Sequence, residues 1–248
     1  MLTSPESEEG ASATRMSAAR LGRWIAFLLA ALAATAFALG FATPPRSGPF
    51  CTGSCIAYPY TDAVQFVPRD YLWVVPSIFL TPLFVVLAGC IHGCVPPGKR
   101  SLSVIGLCFA SISAGMITLD YFIQFQVVAP SLVRGETSGL ALFTQYNPHG
   151  FFIALEDLGY LLLSVAFLFA GAAFGRANRL ERAIRWTFIS SGLLAFASFI
   201  GLSWKFGLNL EYRFEVAIIT LAWATLAVSG VLLGFFFLRA RRRELPVP

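Results

Sequence analysis

Charge is scarce in this sequence. Asp, Glu, Lys and Arg together make up 12% of its 248 residues, about half of what a water-soluble domain usually carries. Histidine occurs twice, at His92 and His149, and cysteine five times. No second Cys/His pair completes a tetrahedral zinc set around Cys90, His92 and Cys94. A Gly-rich phosphate loop, a zinc-binding His-Glu helix and a nucleophile elbow are all missing. The run Gly98-Lys99-Arg100-Ser101 lacks the upstream glycine of a P-loop and reads as a turn. These absences leave no expected cofactor or metal, and they rank an enzyme last among the functional classes considered. The net charge of +5 is gathered near the ends of apolar blocks, which suits topology and anionic headgroups rather than nucleic acid.

Apolar residues are abundant instead: 57% are hydrophobic and the mean hydropathy is +0.72. They arrive in six blocks, Trp24 to Ala42, Tyr71 to Gly93, Ser103 to Val128, Gly150 to Phe174, Ile184 to Phe206 and Phe214 to Leu238. A bilayer core needs roughly 20 helical residues to cross, and each block has about that length. Unsatisfied edge groups exclude an open sheet in lipid. The fold expected is all-α, a polytopic bundle of about six transmembrane helices over residues 24–238. A disordered cytoplasmic segment, 1–23, should precede it, and a basic cytoplasmic tail, 239–248, should follow.

Arg and Lys orient the bundle. Arg15, Arg20, Arg23, Lys99, Arg100, Arg176, Arg179, Arg182, Arg185, Arg239, Arg241, Arg242 and Arg243 fall on one side. Arg46, Arg69, Arg134, Lys205 and Arg213 fall on the other, so thirteen basic residues face five. The positive-inside rule then puts both termini in the cytoplasm and the protein in the cell membrane. Trp24, Trp73, Trp186 and Trp204 lie near span ends, where amphipathic rings prefer to sit. The first block is longer than a signal-peptide core and is read as a retained anchor; cleavage near Gly40 or Ala42 would leave five spans. Leu87 to Cys90 reads LAGC, but in the second span it is no lipoprotein signal. Pro76 and Pro82 are candidates to bend that span. Gly171 with Gly175, and Gly230 with Gly234, have the spacing that lets helices pack closely.

Three carboxylates fall inside the blocks. At 1.5 Å per residue, Asp120 lies about 7–8 Å outside the midplane, and Glu156 and Asp157 about 7–9 Å outside it. The third and fourth spans are consecutive and antiparallel, so the three acids can meet. Helical spacing puts Ser113, Asp120 and Gln124 on one stripe, and His149, Glu156 and Tyr160 on another. Asp157 is turned about 80° from the second stripe and aligns with Ser164. A central charge facing lipid costs at least about 2.5–3.5 kcal/mol, so these faces should point into the bundle. Asp120, Gln124, Glu156, Asp157 and Tyr160 form a candidate intramembrane polar site, with His149 a candidate gate above it. Such a site suits a proton, a cation or a small solute. Structural pairing of the acids, with Lys205 as a counter-ion, is the alternative.

Cys51 and Cys55 lie in the first external connection, where an oxidising compartment permits a disulfide. Their tight spacing leaves free thiols or a redox role open. Cys90 and Cys94 are read as packed thiols and Cys108 as core. The external connections Thr43 to Asp70 and Ala129 to His149 are long; such connections in a compact bundle often carry function, with a flexible link as the commoner alternative.

The stretch DYFIQFQVVAPSLVRGETSGLALFTQYNPHGFFIALEDLGYLLL, Asp120 to Leu163, resembles sequences of uncharacterised bacterial multi-pass membrane proteins. It covers about a sixth of the chain. The resemblance implies a bacterial membrane and no activity. The sequence thus predicts a transporter or channel-like protein, with a non-transporting scaffold, sensor or assembly protein as the rival. Its partners would be the bilayer and a proton, cation or small solute, with no nucleic acid.

Overall fold

Each of the six apolar blocks is helical in the computed structural model, which describes residues 5–244 and the side chains of residues 16–240. The principal helices are α1 (Pro5–Ala42), α2 (Leu80–Cys94), α3 (Arg100–Ile123), α4 (Phe151–Ala173), α5 (Arg179–Phe206) and α6 (Tyr212–Glu244). Among the described residues there is no strand, and six helical segments are long and apolar enough to cross a bilayer. Helices satisfy their own backbone groups, which is what hydrocarbon demands of a spanning chain. The chain is an all-α, multi-pass membrane bundle.

The helices form a ring in chain order, each packed on the next, and α1 closes it by lying along α6. α4 also touches α6 and, more lightly, α2. Contact between α1 and α6 is close because Gly230 has no side chain: a Cβ there would stand 2.6 Å from the Ala26 carbonyl oxygen. Six helices in up-and-down order put the start of α1 and the end of α6 at one end of the bundle, the terminal end, and the two long connections at the other, the loop end.

Short connections at the terminal end are held by cations. The C-terminal carbonyls of α4 accept from Lys99 Nζ, 2.7 Å from Phe174 O, and from Arg185 Nη1, 3.1 Å from Ala172 O. Helix C-termini favour positive charge. Asn178 caps α5, its Oδ1 accepting from the Glu181 backbone N–H at 2.9 Å, as N-cap residues do.

Several expectations are revised. Residues 5–23 are helical and continue α1, rather than forming the disordered leader that composition suggested. Ala, Glu and Arg are strong helix formers, and an anchored span supplies the nucleus from which helix propagates. Residues 1–4 and 245–248 lie outside the described residues. The third span runs on past Ile123 through a π-helical turn, Gln124–Val128, into Ala129–Arg134. The second span is broken between Val74–Ser77 and Leu80, just ahead of Pro82, whose missing N–H cannot bond back. Trp24, Trp186 and Trp204 are exposed, but Trp73 is buried in the core. Cys108 is exposed on α3, not core. In a membrane protein an apolar neighbourhood can equally be lipid, so hydropathy alone does not choose the inside.

The loop end has a small apolar core of its own. Ile56 and Ala63 from the first connection, with Tyr71 just after it, pack with Val128 of the π-helical turn and with Leu132, Leu140 and Tyr146 from the second. Cys51 and Cys55 are joined by a disulfide. Arg46 Nε lies 2.8 Å from Asp70 Oδ2, and the Arg46 guanidinium covers the Phe66 ring at 3.9 Å. The two long connections thus form one cap over the bundle.

Candidate functional site

Near the loop end, α3, α4 and α6 bring four carboxyl groups together. Asp120 lies close to the end of α3, Glu156 and Asp157 in the second turn of α4, and Glu215 in the first turn of α6. Asp120 and Glu156 are buried, at 2% and 0% exposure, while Asp157 and Glu215 are partly buried. Glu156 is close enough to Asp120, Asp157 and Glu215 for their charges to interact. The carboxyls of Glu156 and Glu215 are within hydrogen-bonding reach of each other. Carboxyl oxygens have no hydrogen of their own when ionised, so such a bond exists only through a proton carried by one of the pair.

On its other side Glu156 ends a directed chain of donors. Indole N–H can only donate, so Trp223 Nε1 gives its hydrogen to Tyr160 Oη at 2.8 Å. Tyr160 and Tyr121 hydroxyls are 2.9 Å apart, and the Tyr121 O–H donates to Glu156 Oε1 at 2.5 Å. With its own proton committed to Glu156, Tyr121 accepts from Tyr160, and all three hydrogens point toward the acid. The phenols are fully buried, and Trp73 packs edge-on against Tyr121 with ring centroids 5.5 Å apart. Asp120 Oδ2, Glu156 Oε2 and Asp157 Oδ1 have no hydrogen-bond donor among the described residues.

A cavity of about 440 Å³ lies between the end of α1, the start of α6 and the cap. Glu215 is its one carboxylate, and Trp73, Tyr146, Tyr212 and Trp223 are among its aromatic walls. Phe41, 89% exposed, stands at its mouth. Its volume is within the usual range for small-molecule sites, about 300–1,000 Å³. Toward the terminal end Phe84, Phe167 and Phe188 pack together in the core, their rings 5.1 to 6.0 Å apart. Phe167 is eleven residues along α4 from Glu156, about 16 Å by helical rise.

Of the residues singled out from sequence, Asp120, Glu156, Asp157 and Tyr160 come together. Gln124 is buried but engaged elsewhere. Its Nε2 donates to Phe143 O at 2.7 Å and its Oε1 accepts from Gln145 N at 3.3 Å, pinning the second long connection. His149 is exposed, in the turn just before α4. Lys205 is exposed and sits over the Phe206 ring at 5.1 Å. Among the described residues the recorded ion pairs, Arg46–Asp70 and Arg213–Glu211, involve neither Lys205 nor the four acids. Sequence reasoning passed over Glu215, Tyr121 and Trp223. Glu215 is at a block boundary, where an acid looks interfacial. Trp223 did leave a signal, as the one tryptophan far from any span end. A buried indole N–H needs an acceptor, and Tyr160 supplies it.

Among the described residues no three His, Cys, Asp or Glu side chains converge in a geometry that could hold a metal ion. The arrangement can hold and pass protons, and it can pair with a positive charge arriving through the cavity. No protein-family model matches the chain, and neither a curated protein nor a solved structure resembles it significantly.

Proposed function

We propose that this protein is a proton-linked transporter of the bacterial cytoplasmic membrane, with both termini in the cytoplasm. The observation that carries the reading is the convergence of Asp120, Glu156, Asp157 and Glu215 from three helices, with Glu215 lining a cavity at the loop end. Intramembrane acids are costly and cluster where ions or protons move. Orientation is supported by the thirteen-to-five split of basic residues and by the Cys51–Cys55 disulfide, which belongs in an oxidising compartment. A proton is favoured over a metal ion because the acids do not form a chelating set.

Transport also needs a path onward, and toward the terminal end Phe84, Phe167 and Phe188 pack together in the core. That packing favours a second reading, a non-transporting scaffold or sensor in which the acids hold helices together. Proton flux separates the two. The protein is reconstituted into vesicles and the lumenal pH followed with a dye, first under an imposed membrane potential and then under an imposed gradient of an organic cation, so that uncoupled and exchange-coupled proton movement both register. For a transporter, wild type conducts, and Asp120→Asn, Glu156→Gln or Asp157→Asn reduces the flux toward that of protein-free vesicles. No flux in the wild type, or flux unchanged from wild type in all three variants, overturns this reading.

A further inference from the structure

The cavity and the carboxyl pair behind it have matching chemistry. We propose that this cavity binds a hydrophobic organic cation, with Glu215 as its anionic anchor, in exchange for a proton shared between Glu215 and Glu156. This builds on the proton-linked reading and names the class of solute.

The walls select for an apolar body. Phe37, Trp73, Tyr212 and Trp223 present aromatic surface around the space, and aromatic faces attract cations electrostatically. The exposed Phe41 at the mouth suits a ligand that reaches the site through the apolar edge of the bilayer. Charge selects for a cation. The one basic group lining the cavity, Arg46, is held by buried Asp70 at 2.8 Å, so it does not offset Glu215. Burial pushes the Tyr146 phenol well above its ordinary pKa, so that ring stays neutral.

The groups facing Glu215 from its packing neighbours are acids and phenols. α3 contributes Asp120, and α4 contributes Glu156 and Asp157. Tyr121 and Tyr160 stand behind Glu156, and Tyr212 precedes Glu215 on its own helix. Glu156 Oε1 is occupied by the Tyr121 hydroxyl. Glu156 Oε2 and Asp120 Oδ2, on side chains less than a tenth exposed, lack donors. A proton on Glu215 bridges it to Glu156. When a cation enters, that O–H bond breaks, the proton leaves to water in the cavity, and the Glu215 carboxylate takes the cation. One positive charge replaces another, so the buried cluster keeps its net charge.

Calorimetry on the purified full-length protein in detergent tests this with benzyltrimethylammonium as the probe. Its uncharged isostere, neopentylbenzene, is the control. The expected result is saturable one-to-one binding of the cation that strengthens as pH rises. Titrations in buffers of different ionisation heat should report release of about one proton per cation. Glu215→Gln, which keeps the contact with Glu156, should weaken the cation by roughly tenfold or more, the loss of about 1.4 kcal/mol. It should leave the neutral isostere unchanged. No saturable cation binding, equal affinity for cation and isostere, or binding without proton release overturns the proposal. The wild-type comparison of the two probes decides the matter even if Glu215→Gln fails to fold. Cation binding in a protein that conducts no protons would sink transport and leave this assignment standing.

Discussion

Two arginines at the loop end differ less in geometry than in burial. Arg46 Nε is 2.8 Å from Asp70 Oδ2, with side-chain exposures of 11% and 1%; Arg213 Nη1 is 3.3 Å from Glu211 Oε2, with exposures of 24% and 23%. Removing one partner of a buried pair leaves an uncompensated charge and costs about 3–5 kcal/mol. A pair reached by water contributes about 0–1 kcal/mol. Arg46→Ala should therefore lower the thermal midpoint in detergent sharply, and Arg213→Ala should barely move it; equal shifts would contradict the burial contrast. The same scale explains which site residues were legible. Asp120, Glu156 and Asp157 stood out because a carboxylate in an apolar run has no bland explanation. Tyr121 did not, since a phenol in such a run is ordinary until its hydroxyl is found 2.5 Å from Glu156.

Helical periodicity gave the face of α3 well, since Ser113, Asp120 and Gln124 are all buried. On α4 it succeeded in part: Glu156 and Tyr160 are buried but His149, placed on their stripe, is exposed, and Ser164 is buried while Asp157, aligned with it, is only partly so. Ser113 Oγ donates to the Gly159 carbonyl at 2.7 Å and ties the two helices together beside the acids. Periodicity could not foresee the π-helical turn at Gln124–Val128. Such a turn inserts a residue into the helix, and it lies where Gln124 reaches the second connection. Close helix contact also separates glycines that look alike in sequence. Gly230 faces the α1 backbone, with Ala26 O 2.6 Å from where a Cβ would stand, whereas Gly201 has nothing within 4 Å. Gly230→Ala should destabilise by about 1–3 kcal/mol through overpacking. Gly201→Ala should be neutral or stabilise by about 0.5–1 kcal/mol, because it removes chain freedom from the unfolded state. Thermal unfolding of both variants in detergent checks the pair, and a harmless Gly230→Ala would exclude tight α1–α6 packing there.

At the scale of the whole molecule, topology is tested by thiol labelling of intact cells with a membrane-impermeant maleimide. Cys51 and Cys55 are locked together, Cys90 is buried, and Cys108 faces outward from the apolar α3. Maleimide reacts with a hydrated thiolate, so external labelling should be absent until a reductant opens the disulfide. It should then fall on Cys51 and Cys55. Labelling before reduction, or none afterwards, would place the cap on the wrong side or leave the thiols unpaired. The six helical spans followed from sequence alone, because hydrocarbon accepts a long apolar chain only as helix. Their shared orientation was likewise inferred from the one-sided distribution of basic residues. Three of the four clustered acids could be placed at one depth, since rise per residue is fixed. What only the tertiary structure decided was company. Glu215 joins Glu156 because α6 packs back on α4, and Trp223 points its hydrogen at Tyr160 for the same reason. Such contacts depend on how helices distant in sequence rotate against one another. Lipid and protein interior are equally apolar, so hydropathy does not set that rotation.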